Sequence, residues 1–299
     1  MDIGRIGIWT STLDSQPFAQ AGAAVAELDR LGYGAVWIPE AVGREVMSNA
    51  ALLLAGARAE GAERIVLATG IANLWARDAM SMAAGQKTIA AAFPDRFLLG
   101  IGVSHQRSVE GLRGQSYERP LATMRSYLDA MDAALFLAAP PPVEPRRVLA
   151  ALGPRMLALA AERATGAHPY FVPVEHTAVA REALGEGPLL APEQAVVLST
   201  DPAEARRIAR GHMKIYLGLP NYTNNLRRLG FGDDDLAGEG SDRLVDAVVA
   251  WGDLDAVRAR VQAHLDAGAD HVCVQVLGEN AAALPMEEWR RLAEPLRSL

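Results

Sequence analysis

The feature that most constrains the fold is an alternation, repeated along the whole chain, of short apolar runs with segments of helical character. Eight apolar runs of strand length occur, and each is followed by a helical pattern. The runs are apolar without clear alternation of polar residues, which indicates parallel strands buried on both faces. The predicted strands are 5–9, 35–38, 64–71, 96–103, 147–152, 167–172, 194–199 and 271–277.

Helical patterns fill the intervals between these runs, and residues typical of helix ends mark several of them. Pro17 suits a first turn, Gly32 a C-terminal cap and Ser48 an N-terminal cap. Asp201 is a second predicted N-cap, followed by a proline at the first helical position. The predicted helices are 17–32, 48–61, 78–93, 121–137, 154–166, one from about 175, 201–212, 253–268 and 285–296.

Eight strand–helix units predict a (β/α)8 TIM barrel that occupies residues 1–299 as a single domain. The rival is an open doubly wound sheet, in which a glycine-rich turn follows the first strand to bind a dinucleotide. The stretch WTSTLDSQP at the end of that strand holds no glycine, which favours the barrel. Residues 214–250 exceed an ordinary loop and look helical, so we expect an inserted helical lid near the barrel mouth.

Charge and composition argue against several function classes. The net charge is −7 and Lys87 and Lys214 are the only lysines, which argues against nucleic-acid binding. No apolar run has the roughly 18 residues that a membrane span needs, and the first residues lack the pattern of a signal peptide. We therefore expect a cytoplasmic protein. The single cysteine, Cys273, excludes an internal disulfide, and no His and carboxylate set has metal-ligand spacing, so no metal site is predicted.

Active sites of such barrels lie at the C-terminal ends of the strands, so the residues that follow each strand are the functional candidates. The fourth strand ends at Ser104 and His105, and the second ends next to Glu40. Histidine and glutamate are typical general acids and bases, so His105 and Glu40 are the predicted catalytic residues. The alternatives are a solvated loop histidine at 105 and a carboxylate in a helix-dipole or loop salt bridge at 40.

A glycine between the fifth strand and the next helix is a candidate phosphate site. Gly153 precedes Pro154 at a helix start, where free backbone N–H groups and the helix dipole favour an anion. Simple turn chemistry is the alternative. Trp9 and Trp75, close to strand ends, are candidate walls for a planar ring or else packing residues under loops. His168, inside the sixth strand, is expected to be a core histidine with satisfied hydrogen bonds.

Several stretches carry a family likeness that covers essentially the whole chain. ELDRLGYGAVWIPE, ATGIANLW and AAAFPDRFLLGIGVSH resemble the luciferase-like monooxygenase superfamily, which includes bacterial luciferase, flavin-dependent monooxygenases and F420-dependent oxidoreductases. LGPRMLALAAERATGAHPYFVPVEHTAVAREALG resembles its F420-dependent branch. The resemblance implies coenzyme F420, with FMN as the alternative, and a homodimer built on the helices after the second and third strands.

The resemblance also implies cofactor-binding roles for residues at the strand ends. In this family the third strand ends in a bulge with a non-prolyl cis peptide that supports the middle ring of the cofactor, and the matching bond is Gly70–Ile71. Residues further on would follow the cofactor's pyrimidine edge and ribityl chain to its phosphate. The cofactor-binding residues expected in this way are Trp9, Gly70, Ile71, Asn73, Gly102, Ser104, Gly153 and Pro154.

Two positions depart from the F420-dependent sugar-phosphate and alcohol dehydrogenases of this family. Those enzymes carry Asp-His after the second strand, where this chain has Pro39 and Glu40, and a Glu after the fourth strand, where this chain has His105. The two functional types are exchanged, so Glu40 and His105 can still form an acid/base couple over the ring. The lysines that hold a sugar phosphate in such relatives are not evident, which disfavours that substrate.

Three hypotheses for function follow from these observations. The first is an F420-dependent oxidoreductase that transfers a hydride between the deazaflavin and a small organic substrate, with Tyr216, Asn221 and Tyr222 of the lid over the cavity. The second is an FMN-dependent monooxygenase that uses reduced flavin and O2. The third is a barrel that has lost its chemistry and serves as a binding or storage protein. Tyr222 could instead be a packing residue of a helical hairpin.

Overall fold

The strands of the computed structural model, which describes residues 1–299, lie parallel in one sheet. They are β1 (Ile6–Trp9), β2 (Ala35–Ile38), β3 (Val66–Thr69), β4 (Ala72–Asn73), β5 (Phe97–Gly102), β6 (Arg146–Leu149), β7 (Gly166–Ala167), β8 (Leu189–Leu190), β9 (Glu193–Val197), β10 (Val249–Trp251) and β11 (Val272–Val276). The helices are α1 (Phe18–Leu31), α2 (Val46–Ala59), α3 (Ala79–Ala92), α4 (Gln106–Arg113), α5 (Pro120–Asp132), α6 (Pro154–Arg163), α7 (Val174–Leu184), α8 (Pro202–Leu217), α9 (Pro220–Arg228), α10 (Asp233–Leu236), α11 (Asp242–Val248), α12 (Leu254–Asp266) and α13 (Met286–Arg297). No helix combines the length and the apolar composition that a membrane span requires.

The sheet closes into a ring through the segment 189–197. From β1 the pairing runs through β2, β3, β5, β6 and β7 to β8 in one direction, and through β11 to β9 in the other. Only Ala191 and Pro192 separate β8 from β9. The Ala191 N–H donates to the Ala167 carbonyl at 3.0 Å, and the Cys273 N–H donates to the Pro192 carbonyl at 2.9 Å. The segment therefore serves as the seventh barrel strand, and the predicted (β/α)8 fold is confirmed.

The strands bury both of their faces, as their apolar sequences predict. One set of side chains, including Val36 and Leu67, packs outward against the surrounding helices. The alternate set, including Trp37, Ala68 and Leu98, forms a separate cluster in the ring interior. An eight-stranded ring is just wide enough for side chains to fill it, so this interior is packed and only the mouth is open to a ligand.

Polar side chains are also built into the ring interior. His168 stacks on Trp37 with ring centroids 4.3 Å apart and donates from Nδ1 to the Ala191 carbonyl at 2.7 Å. Trp37 Nε1 donates to His271 Nε2 at 3.1 Å. Burial lowers the pKa of both histidines to about 4, so they are neutral at pH 7. His168 is therefore a core histidine, as predicted, but only its Nδ1 is hydrogen-bonded, because Nε2 has no partner.

Most predicted helix ends agree with the structure, and one N-cap was wrong. Gly32 ends α1 with φ of 89°, and the Asp201 carboxylate caps α8 by accepting from a backbone N–H at 2.9 Å. Ser48 does not cap α2. The helix begins earlier, and the Glu45 carboxylate accepts from the N–H groups of Met47 and Ser48 at 3.1 and 2.7 Å. Glutamate is an uncommon N-cap, so the sequence rules favoured the serine.

The sixth predicted strand, 167–172, is much shorter than expected. Its ladder is confined to Gly166–Ala167. Pro169 has no N–H to donate, and Phe171 has a φ of 56°, which takes the chain out of the extended conformation. The Pro169 carbonyl still accepts from the Glu193 N–H at 2.9 Å, and beyond it the chain leaves the sheet, with Tyr170 placed against Gln275 and Trp9.

Two other predicted boundaries differ. The helix predicted at 121–137 ends at Asp132. The expected insertion, 214–250, does not match the element boundaries, because Lys214 lies in α8 and Val249 in β10, which pairs with β9. The helices α9, α10 and α11 occupy the residues between them. Their amphipathic sequences predicted helix but gave no sign of where the short breaks would fall.

A buried carboxyl group at the start of β9 provides a test of the ring interior. Glu193 is 1% exposed and lies in register with Cys273. One of its oxygens accepts from the Phe171 N–H at 3.1 Å, and the other has no partner. Burial raises the pKa of Glu193 to about 8, so the folded protein holds this proton at neutral pH while the unfolded chain does not.

We predict that Glu193 makes the fold less stable as the pH rises. A group with a raised pKa stabilises the fold fully at low pH and loses that contribution as the pH rises to its folded value. Between pH 5 and 8 the free energy of unfolding of the wild type should therefore fall, relative to Glu193→Gln, by about 1.4 kcal/mol per pH unit. Urea unfolding at a series of pH values measures this. The exposed Glu182→Gln is the control and should parallel the wild type. Parallel curves for Glu193→Gln would contradict the assignment.

Candidate functional site

The ends of β1 and β3 meet at a bulge of the barrel mouth. The Gly70–Ile71 peptide is cis, at the bond that the family likeness indicated. Trp9 Nε1 donates to the Gly70 carbonyl at 3.2 Å. A Cβ on Gly70 would lie 2.7 Å from Trp9 Nε1 and 2.9 Å from His168 Nε2. Any side chain at this position would collide with two buried rings, so glycine is required here.

The strand resumes beyond the bulge as β4, which pairs with β5. Ala72 lies in register with Ile101, and Asn73 with Gly102. A Cβ on Gly102 would come within 2.5 Å of Ile71 Cγ1. The absence of a side chain at 102 therefore leaves the space that the Ile71 side chain occupies, and the three residues Gly70, Ile71 and Gly102 form one packed wall of the mouth.

Glu40 lies at the end of β2 and holds the far side of the bulge. Its side chain is 6% exposed and forms a two-pronged ion pair with Arg77. Its Oε2 also accepts from the Asn73 N–H at 2.7 Å. Arg77 in turn donates to Glu45 at 2.7 Å. Both oxygens of Glu40 are thus held, by one cation, Arg77, and one backbone N–H, that of Asn73. This arrangement matches the salt-bridge alternative that the sequence left open.

The side chain of Asn73 faces the following turn. Its Oδ1 accepts from the Trp75 N–H at 3.0 Å, and Asn73 is 3% exposed. Trp75 Nε1 donates to the Val103 carbonyl at 2.9 Å. These bonds tie the end of β4 to the end of β5. Trp75 therefore fits the packing alternative as well as it fits a ring wall.

The end of β5 brings His105 to the mouth, next to a helix from the late part of the chain. Ser104 has a φ of 57°, and this local turn ends the strand and lets His105 start α4. His105 Nδ1 donates to Asn221 Oδ1 at 3.1 Å, and its ring lies 5.4 Å from that of Tyr222. Burial lowers the pKa of His105 below its ordinary value, and the Asn221 contact only partly offsets this.

This geometry fixes the chemistry that His105 can perform. With Nδ1–H committed to Asn221, the neutral ring keeps its lone pair on Nε2 and can accept a proton there. No hydrogen bond joins His105 to Glu40, whose partners are Arg77 and Asn73. The predicted acid/base couple is therefore not formed by direct contact.

Gly153 and Pro154 form the helix start that was predicted as a phosphate site. Gly153 caps α6, and Pro154 is its first residue. The backbone N–H groups of Gly153 and Arg155 donate to no acceptor in the protein. A Cβ on Gly153 would lie 3.6 Å from Arg228 Nη2, so a guanidinium of α9 is close to these free donors. An anion placed here would meet positive partial and full charges together.

Sequence reasoning missed Arg228. It is one of 29 lysines and arginines, and nothing in its local sequence relates it to Gly153, 75 positions earlier. The contact arises only because the segment after α8 folds back over the barrel mouth. Sequence reasoning also did not assign a role to Gln275 of β11, whose Oε1 accepts from the Tyr170 hydroxyl at 2.8 Å.

Aromatic side chains form a second wall of the mouth, which adjoins Trp9. Tyr170 and Tyr216 share a hydrogen bond between their hydroxyls at 2.9 Å, and the Tyr170 ring lies 5.0 Å from that of Trp9. Tyr222 packs edge-on against Tyr216 with centroids 5.2 Å apart. Tyr216 and Tyr222, which were expected over the cavity, thus lie in one aromatic cluster. Tyr222 is buried there, so it also fits the alternative prediction of a packing residue.

A separate groove of about 500 Å³ borders Glu40 on the surface. Arg44, Arg77 and Arg113 line it together with Glu45. Arg77 is paired with both glutamates, and Arg44 donates to the Leu13 carbonyl at 3.3 Å. Most of its cationic groups are therefore already committed to partners within the protein, and none of the expected cofactor-binding residues lines it.

Known proteins are similar to this chain in sequence and in fold. A protein of Mycobacterium tuberculosis, named as a putative coenzyme F420-dependent oxidoreductase, is 26% identical, and the match covers 90% of this chain and 94% of that one. The structure of an F420-dependent secondary alcohol dehydrogenase in complex with an F420–acetone adduct is similar at a TM-score of 0.76 and 12% identity, covering 99% of this chain and 100% of that one.

A flavin enzyme has the same fold. The FMN complex of a type II Baeyer–Villiger monooxygenase, the oxygenating constituent of 3,6-diketocamphane monooxygenase of Pseudomonas putida, matches at a TM-score of 0.67 and 18% identity, covering 98% of this chain and 96% of that one. At such identities the two structures show the shared fold alone. The family model described as luciferase-like monooxygenase matches residues 4–271. Because this match spans most of the chain, the protein is an enzyme of the luciferase-like monooxygenase family.

Proposed function

We propose that the protein is an F420-dependent oxidoreductase that transfers a hydride between the deazaflavin coenzyme and a small organic substrate. The observation that carries the proposal is the combination of two features at one end of the barrel. An apolar wall is formed by Gly70, Ile71 and Gly102, and unpaired backbone N–H groups lie at the start of α6 close to Arg228. A flat tricyclic ring joined through a ribityl chain to a phosphate needs both.

The residues of the mouth fit such a coenzyme in chemical type. The Ile71 side chain offers an apolar surface for the ring, and the free N–H groups at the start of α6 offer donors for the phosphate. Asn73, Gly102 and Ser104 lie between these two places along the ends of β4 and β5. When bound, F420 would supply the hydride chemistry, and the protein would supply binding and orientation.

We assign the proton transfer that accompanies the hydride to His105. Its Nε2 is the free nitrogen of a half-buried imidazole at the mouth, and its lowered pKa keeps it neutral at pH 7. A neutral imidazole accepts a proton from a substrate that is being oxidised. For Glu40 we propose a positioning role instead, since its carboxylate holds Asn73 and Arg77.

The substrate that fits the aromatic wall is small and not highly anionic. Tyr170, Tyr216 and Tyr222 present rings and hydroxyls, and Lys214, the lysine nearest to Tyr216 in the chain, is exposed on α8. The FMN-dependent monooxygenase is kept as the second candidate, because the same fold binds FMN in the Baeyer–Villiger enzyme. The support for F420 over FMN is the sequence similarity to the mycobacterial protein over 90% of the chain.

Coenzyme titration separates the candidates. Adding F420 to the purified protein should quench tryptophan fluorescence, because Trp9 contacts Gly70 at the ring site. FMN should bind more weakly. Tight FMN binding without F420 binding would favour the monooxygenase, and binding of either coenzyme without turnover of any enone, imine, nitro compound or alcohol would favour a storage protein.

Replacing His105 should slow turnover strongly and leave coenzyme binding unchanged. We expect His105→Ala to lower kcat by about 100- to 10,000-fold, the usual contribution of a general acid or base. For substrate oxidation, kcat/KM of the wild type should fall as the pH drops through a pKa below 6.5, because the protonated ring cannot accept a proton. For substrate reduction the dependence should reverse. A change of less than twofold in kcat would contradict the assignment.

Gly102→Ala should weaken coenzyme binding through Ile71. The new methyl group would lie 2.5 Å from Ile71 Cγ1, so the Ile71 side chain must move and the wall beneath the ring changes shape. We expect a loss of about 1 to 3 kcal/mol in folding free energy from overpacking, together with a raised Kd for the coenzyme. Gly111→Ala in α4 is the control, since a Cβ there meets nothing within 4 Å. Equal Kd values for both variants would argue against Ile71 as the ring contact.

A further inference from the structure

Helix α9 contacts the barrel mouth at both of its ends. Near its start, Asn221 accepts from His105 Nδ1 at 3.1 Å. At its last residue, Arg228 lies over the N-terminus of α6, where its Nη2 is 3.6 Å from the position of a Gly153 Cβ. Seven residues at 1.5 Å each separate the two contacts by about 10 Å along the helix axis. The helix therefore bridges the predicted proton-transfer residue and the predicted phosphate site.

The charge of Arg228 is not neutralised within the protein. Arg228 forms no salt bridge, whereas the adjacent Arg227 pairs with Asp233 at 3.0 Å. The protein partner of the Arg228 guanidinium is Asn225, whose Oδ1 accepts from Nη2 at 3.1 Å. The cation thus sits beside the two free backbone N–H groups of Gly153 and Arg155 without an anion to balance it.

A buried side-chain donor at the same place also lacks an acceptor. Asn225 is 2% exposed, and its Nδ2 has no hydrogen-bond partner. This nitrogen belongs to the carboxamide that already contacts Arg228, so it lies beside the guanidinium. A buried amide donor left unpaired costs about 1 to 3 kcal/mol relative to a paired one, and a bound water, ion or ligand can supply the missing acceptor. A phosphate oxygen is such an acceptor.

We infer that α9 is a clamp, in which Arg228 and Asn225 bind the phosphate group of the coenzyme while Asn221 holds His105. The inference rests on the proposed function and adds to it a recognition residue from the late part of the chain. A bound phosphate would satisfy the donors of α9 and of the start of α6 together, and would fix α9 over the mouth. The orientation of His105 then depends on a ligand that carries the phosphate.

The test compares ligands with and without the phosphate on matched variants. FMN is compared with riboflavin, and F420 with its riboside lacking the phosphate, by tryptophan quenching on the wild type, Arg228→Ala, Arg228→Lys and Arg227→Ala. Arg228→Ala should raise the Kd of FMN and F420 by about 10- to 100-fold, as loss of a charge-assisted hydrogen bond does, and leave the Kd of the phosphate-free ligands unchanged. Arg228→Lys should recover part of the loss. Arg227→Ala should match the wild type.

Hydrogen exchange tests the clamp independently of affinity. Amides of residues 220–228 should exchange more slowly when the wild type binds FMN or F420, but not when it binds riboflavin. In Arg228→Ala, at ligand concentrations that saturate the site, this protection should be lost.

The outcomes separate the inference from the proposed function. If the wild type binds none of the four ligands, the proposed function fails and the clamp fails with it. If the wild type binds F420 and Arg228→Ala binds it equally well, the clamp is wrong while the proposed function stands. Equal losses in Arg228→Ala and Arg227→Ala would show a general charge effect and would also overturn the clamp. Unchanged folding of the variants is checked by thermal unfolding.

Discussion

The barrel mouth depends on one buried ion pair. The Glu40 carboxylate at the end of β2 binds both the Arg77 guanidinium and the Asn73 N–H, so it joins β2 to the chain on the far side of the bulge. Removing one partner of a buried pair typically costs about 3 to 5 kcal/mol, because a charge is left without a counter-charge. Without this contact β2 would lose its side-chain link to Asn73, and the chain beyond the bulge would depend on the β4–β5 pairing and on the Trp75–Val103 hydrogen bond.

The second constraint is that glycine occupies positions 70 and 102 in the wall beside Ile71. Gly70 leaves room for the Trp9 and His168 rings, and Gly102 leaves room for Ile71. The barrel below is filled by side chains, while the mouth is assembled from turns and from helices of the late segment. This division is typical of barrel enzymes, in which the ring provides stability and the loops at its C-terminal end provide chemistry.

Local sequence patterns predicted most of the fold because periodicity and end signals are local properties. The eight barrel strands were located, and the residues at their C-terminal ends, from Trp9 to Gly153, do surround one mouth. The failures have particular physical causes. Glu45 replaced Ser48 as a cap through its carboxylate, and Pro169 and Phe171 shortened the sixth strand. The family likeness, not the patterns, pointed to the bulge at residue 70.

The contacts that give the candidate site its chemistry could not be predicted in this way. His105 meets Asn221 across 116 positions, and Gly153 meets Arg228 only after the late segment has folded over the mouth. Glu40 was predicted as a catalytic residue, but its role depends on its ion pair with Arg77. Arg77 does not directly follow a barrel strand, so the residues at strand ends gave no reason to choose it. That catalytic role stays a prediction. Partners that are distant in the chain therefore decide which of the strand-end residues are free to react.

The most direct test is a crystal structure of the protein with F420 or FMN bound. The account predicts a tricyclic ring against Ile71 and a phosphate within hydrogen-bond distance of the Gly153 N–H and of Arg228. It also predicts that His105 keeps its contact with Asn221 and turns Nε2 towards the substrate side. A coenzyme bound instead in the groove beside Arg113, or a phosphate that leaves the start of α6 without a ligand, would contradict the account.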